Sequence, residues 1–329
     1  MGIKIIGIGS YAPEKVLTNF DLEKIVDTSD EWISTRTGMK ERRIARKDEP
    51  TSELGINAAK KALDSSGVKP EDIDLIVVAT VTPDSPLPSN ACLIQKEIGA
   101  IGAACFDFQA ACSGFIYGLE IVTAMMKNSR KYKKALLIGS EKLSHVTNWE
   151  DRNTCVLFGD AAGAVVFEKT RESGDTLLAS ALHADGTHSD LLMIPGGGTL
   201  LPLTKENIDD KLTCIQMEGN KVFKLAVNAM VGSCKEVLEL SNLTCNDITL
   251  VVPHQANMRI VNAVGSRLGI ASERVATNLH KYGNTSAASI ILVLDELVRE
   301  DKLKEGDKIL LTAFGGGMTW ASAVLKWHI

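Results

Sequence analysis

Three polar side chains and a run of glycines stand where a polypeptide can carry out acyl chemistry. Cys112 lies in Phe106-Asp107-Phe108-Gln109-Ala110-Ala111-Cys112-Ser113-Gly114-Phe115, where a strand-like apolar stretch turns into an apolar, glycine-bearing helix. Unpaired N–H groups and the positive end of a helix dipole favour thiolate over thiol there, and the thiolate is the nucleophile. His254, in Val251-Val252-Pro253-His254-Gln255-Ala256-Asn257, ends a buried-strand pattern and precedes a helix expected over 257–268. Ligands in open α/β sheets bind beyond such strand ends. Asn284, in Gly283-Asn284-Thr285-Ser286, opens a second apolar helix and reads as the counterpart of Cys112. Phe314-Gly315-Gly316-Gly317-Met318 puts three glycines after a buried strand, where backbone N–H groups can approach a substrate as an oxyanion hole requires.

Each feature also has an ordinary reading. Asn284 after Gly283 is a turn and N-cap signal, and a glycine triplet is a flexible turn. The other histidines, at 145, 183, 188, 280 and 328, read as surface or core residues. Gly7-Ile8-Gly9-Ser10-Tyr11-Ala12 imitates a dinucleotide fingerprint, but Pro13 and the polar residues after it open no helix, so a Rossmann site is discounted.

The elements that must position these groups appear twice. Asp72-Ile73-Asp74-Leu75-Ile76-Val77-Val78 is echoed by Asp247-Ile248-Thr249-Leu250-Val251-Val252-Pro253, 175 residues later. Lys134-Ala135-Leu136-Leu137-Ile138-Gly139 is echoed by Lys308-Ile309-Leu310-Leu311-Thr312-Ala313 at an offset of 174. Both pairs read as buried strands, and between them lie helical stretches at 113–126 and 286–300. Short apolar strands separated by helices predict mostly parallel sheets covered on both faces. Ile290-Ile291-Leu292-Val293-Leu294 leaves no polar stripe, so that helix belongs between two sheets. The expected fold is therefore α/β, a duplicated five-layer αβαβα sandwich, with halves 1–172 and 173–329 sharing one core.

Composition narrows the function. The chain has 329 residues, 45% hydrophobic and 23% charged, with a net charge of −5, which argues against sequence-independent nucleic-acid binding. No apolar run reaches the roughly 18 residues of a membrane span, and no signal-peptide pattern opens the chain, so a cytoplasmic location is expected. Seven cysteines without a C-x-x-C pair fit neither a zinc site nor a disulfide framework. Cys112 is set apart from the other six by its turn.

Taken together, Ala-Cys112-Ser-Gly, Pro-His254-Gln-Ala-Asn, Gly-Asn284-Thr-Ser and the terminal Phe-Gly-Gly-Gly-Met-Thr-Trp resemble the β-ketoacyl-acyl-carrier-protein synthase III family of the thiolase superfamily. The likeness also takes in Gly7 to Pro13, Asp30-Glu31-Trp32-Ile33, Arg36-Thr37-Gly38 and Phe158-Gly159-Asp160-Ala161-Ala162-Gly163, and so spans essentially the whole chain. It implies the duplicated five-layer fold, usually as a homodimer, with acyl-CoA and malonyl-ACP as substrates and no cofactor or metal. Cys112 would attack a short acyl-CoA and form an acyl-enzyme. Malonyl-ACP would then lose CO2, and His254 and Asn284 would donate hydrogen bonds to the enolate oxygen. An amide cannot serve as a base, so Asn284 argues for oxyanion stabilisation where a second cysteine would suggest the proton abstraction of thiolases. For the tetrahedral intermediate, the resemblance adds the N–H of Gly316 to that of Cys112, which helix-end geometry supplies.

The resemblance also places Thr28, Trp32, Arg36 and Arg152 at the CoA nucleotide and Asn220 near the pantetheine arm. It places Arg259, Gln255, Lys224 and Arg267 at the docking site of the acidic carrier protein; an ordinary solvated helix face accounts nearly as well for Lys224 and Arg267. Leu87 departs from the pattern: it stands where well-known members often carry Phe and line the acyl pocket from the partner subunit. A smaller residue there could admit a longer or branched primer. The closest rival is a secondary-metabolism condensing enzyme or acyltransferase with the same Cys-His-Asn set. A thiolase, a hydroxymethylglutaryl-CoA synthase, a Cys-His hydrolase and a non-catalytic acyl or carrier-binding module fit less well.

Overall fold

The computed structural model describes residues 2–329. The first part of the chain runs β1 (Gly2–Tyr11), β2 (Lys15–Thr18), α1 (Asn19–Leu22), α2 (Asp30–Thr37), β3 (Glu41–Ile44), α3 (Thr51–Ser66), β4 (Leu75–Ala79), α4 (Asn90–Ile98), β5 (Ala104–Phe108), α5 (Gly114–Asn128), β6 (Lys134–Lys142) and β7 (Asp160–Thr170). The second runs β8 (Leu177–Ala184), β9 (Leu192–Met193), β10 (Gln216–Met217), α6 (Gly219–Leu240), β11 (Leu250–Pro253), α7 (Met258–Arg267), α8 (Leu279–Tyr282), α9 (Ser289–Arg299), β12 (Lys308–Gly315) and β13 (Thr319–Lys326).

Two sheets organise these elements. The first has the order β1-β7-β6-β4-β5 and the second β11-β12-β13-β8, dividing the chain between Thr170 and Leu177. The echoed segments form β4 and β11, and β6 and β12, in matching places. The expectation of mostly parallel sheets is corrected: β1, β7 and β6 run antiparallel, as do β12, β13 and β8, and only β6-β4-β5 and β11-β12 are parallel. A continuous apolar run records that a strand is buried on both faces, not which way its neighbour points.

Side-chain alternation builds the five layers. Leu75 and Val77 of β4 point inward and meet Phe115 and Leu119 of α5 and Ile290 and Leu294 of α9, which also pack on Ile309 and Leu311 of β12. Ile76 and Val78 point the other way, onto Leu54 and Ala58 of α3 and Ile94 of α4. On the far side Leu310 and Val324 pack under Met230 of α6 and Val264 of α7. Each fully buried Leu, Ile or Phe contributes roughly 1.5–3 kcal/mol. Helices α5 and α9 are thus the middle layer, and their N-termini meet there.

Candidate active site

Each middle helix is entered through a one-turn 3-10 segment, Ala111–Ser113 before α5 and Ser286–Ala288 before α9. Each segment begins with a non-glycine residue in the left-handed region, Ala111 at φ 46° and Ser286 at φ 48°, conformations that cost of order 1–2 kcal/mol. Cys112 follows Ala111 as Ala287 follows Ser286. The reading of Asn284 as the counterpart of Cys112 is therefore corrected: at the 175-residue offset that place belongs to Ala287. Asn284 arrives from the preceding loop, where it bridges to the chain before β7: its N–H donates to Leu157 O at 2.8 Å and its carbonyl accepts from Gly159 N at 3.0 Å.

Cys112, His254 and Asn284 line one cavity of about 860 Å³, together with Phe158, Leu192, Met217, Met230 and Phe314. The carboxamide of Asn284, a residue only 7% exposed, is oriented by its Oδ1, which accepts from Ser286 N at 2.9 Å, leaving Nδ2 as the donor toward the cavity. His254 is 1% exposed, and its Nδ1 lies 2.7 Å from Ser289 Oγ at the start of α9. That hydroxyl accepts from Gln255 N at 3.4 Å and bonds no carbonyl among the described residues, so its proton goes to Nδ1 and the ring hydrogen sits on Nε2. Burial lowers the pKa of His254 from 6.5 to about 3, which keeps the ring neutral. Both groups are thus held as neutral donors.

Burial pushes Cys112 up to about 12, the carboxylate of Glu141 pushes the same way, and the Ser286 hydroxyl and the backbone amide of Cys112 oppose them. The helix entry and its backbone amides act against that desolvation, and the residue is only half-buried, lining the cavity.

The end of β12 backs directly onto this turn. A Cβ on Gly315 would fall 2.6 Å from the Cys112 backbone nitrogen, so glycine is required there, and one on Gly316 would meet Leu192 O at 3.0 Å. Thr319 Oγ1 donates to Ala110 O at 2.9 Å and Ser113 Oγ to Thr319 O at 3.1 Å, tying the hairpin to the turn. Among the described residues no group of three or more His, Cys, Asp or Glu side chains could hold a metal ion, and no helix is long and apolar enough to cross a membrane.

Two family descriptions match the chain, "3-Oxoacyl-[acyl-carrier-protein (ACP)] synthase III" over residues 106–186 and its C-terminal part over residues 238–327. The chain is 54% identical over 323 residues to the beta-ketoacyl-[acyl-carrier-protein] synthase III of Caldanaerobacter subterraneus subsp. tengcongensis, covering 98% of this chain and 97% of the relative. The chain belongs to the β-ketoacyl-acyl-carrier-protein synthase III family. It is a condensing acyltransferase of the kind that initiates fatty acid synthesis. The crystal structure of the Aquifex aeolicus family member is 50% identical with a TM-score of 0.91, covering 99% of this chain and 100% of that one. The priming β-ketosynthase of the R1128 polyketide pathway is 34% identical, also with a TM-score of 0.91, over 99% of this chain and 96% of that one.

Among the residues tied to CoA by resemblance, Trp32, Arg36 and Asn220 line the same cavity as Cys112. The Trp32 ring lies under two guanidinium groups, Arg36 at 4.7 Å and Arg152 at 5.1 Å from its centroid, and Arg152 is anchored by a bond to Asp27 O of 2.9 Å. Thr28 lies outside the cavity lining, and its Oγ1 is buried without a hydrogen-bond partner among the described residues.

For the carrier, Lys224 and Arg259 are exposed and line the cavity, with Arg259 5.3 Å over the Phe223 ring. Arg267 lies further along α7 and donates to Asn228 Oδ1 of α6 at 2.6 Å. Gln255 does not belong with them. It is 1% exposed, its Nε2 donates to Pro253 O at 2.7 Å, and its Oε1 accepts from Asn278 N and Leu279 N. It pins the His254 loop to the 278–279 segment and offers no surface to a carrier. Leu87, 85% exposed, is absent from the lining of its own subunit's cavity. The sequence reading missed Ser289, Ser286 and Glu141: Ser289 reaches His254, and Glu141 the Cys112 turn, from distant parts of their own halves, and Ser286 reaches that turn from the opposite half.

Proposed function

We propose that the enzyme transfers a short acyl group from acyl-CoA to Cys112 and condenses it with malonyl-ACP, releasing CO2 and giving β-ketoacyl-ACP. The observation that carries this reading is the pair of fixed donors, Nε2 of His254 and Nδ2 of Asn284, in the cavity that holds the thiol. Neutral donors of this kind stabilise the charge that develops on the thioester oxygen of malonyl-ACP as CO2 leaves. The N–H groups of Cys112 and Gly316 serve the oxyanion of acyl transfer. The half at 1–172 brings the nucleophile and the half at 173–329 the donors.

Thr28, Trp32, Arg36, Arg152 and Asn220 hold CoA in this reading, and a base entering beside Trp32 takes the stacking place of a guanidinium. Arg259, Lys224 and Arg267 form a basic strip across α6 and α7 for an acidic carrier, a local attraction that the net charge of −5 does not abolish. The enzyme works as a cytoplasmic homodimer that pairs through the open edge strand β5, and it needs no cofactor beyond the CoA thioester.

The test separates the two half-reactions. Cys112→Ala abolishes acylation and condensation alike. His254→Ala and Asn284→Ala retain most acyl transfer to Cys112, read by intact-protein mass spectrometry, while decarboxylation of malonyl-ACP falls on the order of 10²-fold. Equal loss of both steps would refute this division of labour. The similarity to a polyketide priming synthase favours, as second reading, a role in secondary metabolism. Turnover with malonyl-CoA as readily as with malonyl-ACP supports that reading.

A further inference from the structure

Arg42 of β3 is a fully buried cation, and every acceptor it reaches is uncharged. One terminal nitrogen, Nη1, donates to Leu17 O at 3.2 Å and Asn19 Oδ1 at 2.9 Å, and the other, Nη2, donates to Val156 O at 2.7 Å. Its Nε is buried without a partner among the described residues. A guanidinium keeps its charge inside a protein, so holding one here with no carboxylate accepting from it is costly. The stem is closely packed as well: a Cβ on Gly159 would fall 3.1 Å, and one on Gly283 3.3 Å, from the Cβ of Arg42.

The segments joined by this guanidinium lead to different parts of the site. Asn19, itself buried, extends the contact toward α2: its Nδ2 donates to Asp30 Oδ1 at 2.8 Å and to Met39 O at 2.9 Å, at the first residue of α2 and just past its end. Both ends of the helix that carries Trp32 and Arg36 are thereby tied to Arg42. Val156 lies in the turn that follows Arg152, where Thr154 N and Cys155 N both donate to Asp151 O, and Arg152 completes the stack on Trp32. The next residue, Leu157, accepts from the Asn284 N–H, and Gly159 N donates to the Asn284 carbonyl. Asn284 therefore hangs from the segment that Arg42 holds. The elements that carry Cys112 and Gly316, the mouth of α5 and the end of β12, receive no bond from it.

We propose that Arg42 is a positioning residue for both half-reactions, holding the grip on CoA through Asn19 and the Asn284 donor through Val156. The inference rests on the reading that Trp32 and Arg152 hold CoA and that Asn284 stabilises the enolate. Arg42 touches neither substrate. Its planar fork suits it to the task, because two nitrogens at a fixed angle can hold two diverging partners, which a single ammonium cannot. A misplacement of about 1 Å at a reacting centre can cost about 10²-fold in rate, so a strut of this kind has kinetic consequences.

The experiment gives each branch its own readout. Single-turnover acylation of Cys112 is followed by intact-protein mass spectrometry over a range of acetyl-CoA concentrations, and condensation is started separately by adding malonyl-ACP to enzyme already acylated. Rates are taken per acylatable site, which removes any unfolded fraction. Arg42→Met raises the half-saturating acetyl-CoA concentration and slows condensation, each on the order of tenfold, while acylation at saturating acetyl-CoA keeps its rate. Asn19→Ala cuts the branch to α2 alone, so it raises the half-saturating concentration and spares condensation. Added to Arg42→Met, it raises that concentration no further, because the branch is already cut. Arg42→Lys keeps the charge but cannot span both branches and loses at least one of the two effects; with Asn19→Ala it decides the matter if Arg42→Met is unstable. If Arg42 only holds the fold, the variants melt at lower temperature with half-saturation and condensation per site unchanged. That result, or a loss that falls equally on acylation at saturating acetyl-CoA, overturns the proposal. Unchanged half-saturation in Trp32→Ala, or full-rate condensation in Asn284→Ala, would overturn the functional reading instead.

Discussion

His254 and Glu141 are buried groups displaced in opposite senses, and stability responds to each with opposite sign. His254 falls from 6.5 to about 3, so between those values the unfolded chain binds a proton that the native one refuses. Its contribution weakens as pH drops below 6.5. Glu141 rises from 4.5 to about 7, so the native protein binds the extra proton in that window. Its contribution is complete below 4.5 and is lost as pH climbs through 7. Each slope reaches at most about 1.4 kcal/mol per pH unit. Melting temperatures at pH 4.5 to 7.5 read the difference: the advantage of the unaltered enzyme over His254→Asn shrinks as pH falls, while its advantage over Glu141→Gln grows. Parallel melting curves across that range would contradict both assignments. At this scale the nucleophile's turn, the histidine after a strand and the asparagine before a helix were legible, because each sits where one element changes into another. Glu141 and Ser286 were not, because 145 residues of chain separate them and each alone is an ordinary strand or turn residue.

At the scale of elements, the site depends on how closely the two helix mouths approach. A Cβ at Gly139 of β6 would fall 2.6 Å from the Ala287 carbonyl oxygen, a backbone atom that cannot rotate away. Gly139→Ala is therefore expected to displace the 286–288 turn, to destabilise the protein by about 1–3 kcal/mol, and to slow acylation of Cys112 well beyond what that loss explains. Stopped-flow acylation and thermal melting of the same sample separate the two effects; full-rate acylation would mean that the turn tolerates the shift. The repeated strands were readable because two copies of one buried pattern recur at nearly constant spacing. Their direction was not, and neither was the register of the mouths, which set Ala287 and not Asn284 opposite Cys112. Local apolar patterning reports burial, whereas direction and register are decided by which elements stack.

For the whole molecule, the duplication is broken at one edge. β5 closes the first sheet with half-buried residues along its length, whereas beside β11 the second sheet keeps only an isolated parallel bridge, Val251 to Val275, in place of a full strand. An unpaired edge is where a second copy can extend the sheet. Leu87 is 85% exposed and absent from its own subunit's cavity, so in the proposed dimer it would meet the acyl group only across such an interface. Leu87→Phe is thus expected to lower single-turnover acylation with branched and medium-chain acyl-CoAs by on the order of tenfold while sparing acetyl-CoA, since filling a pocket penalises the larger ligand. Sedimentation should give twice the 35.4 kDa chain mass for both proteins. A dimer in which Leu87→Phe leaves the primer range unchanged would place the acyl pocket away from Leu87, and a monomer with full activity would show that each subunit completes its own cavity.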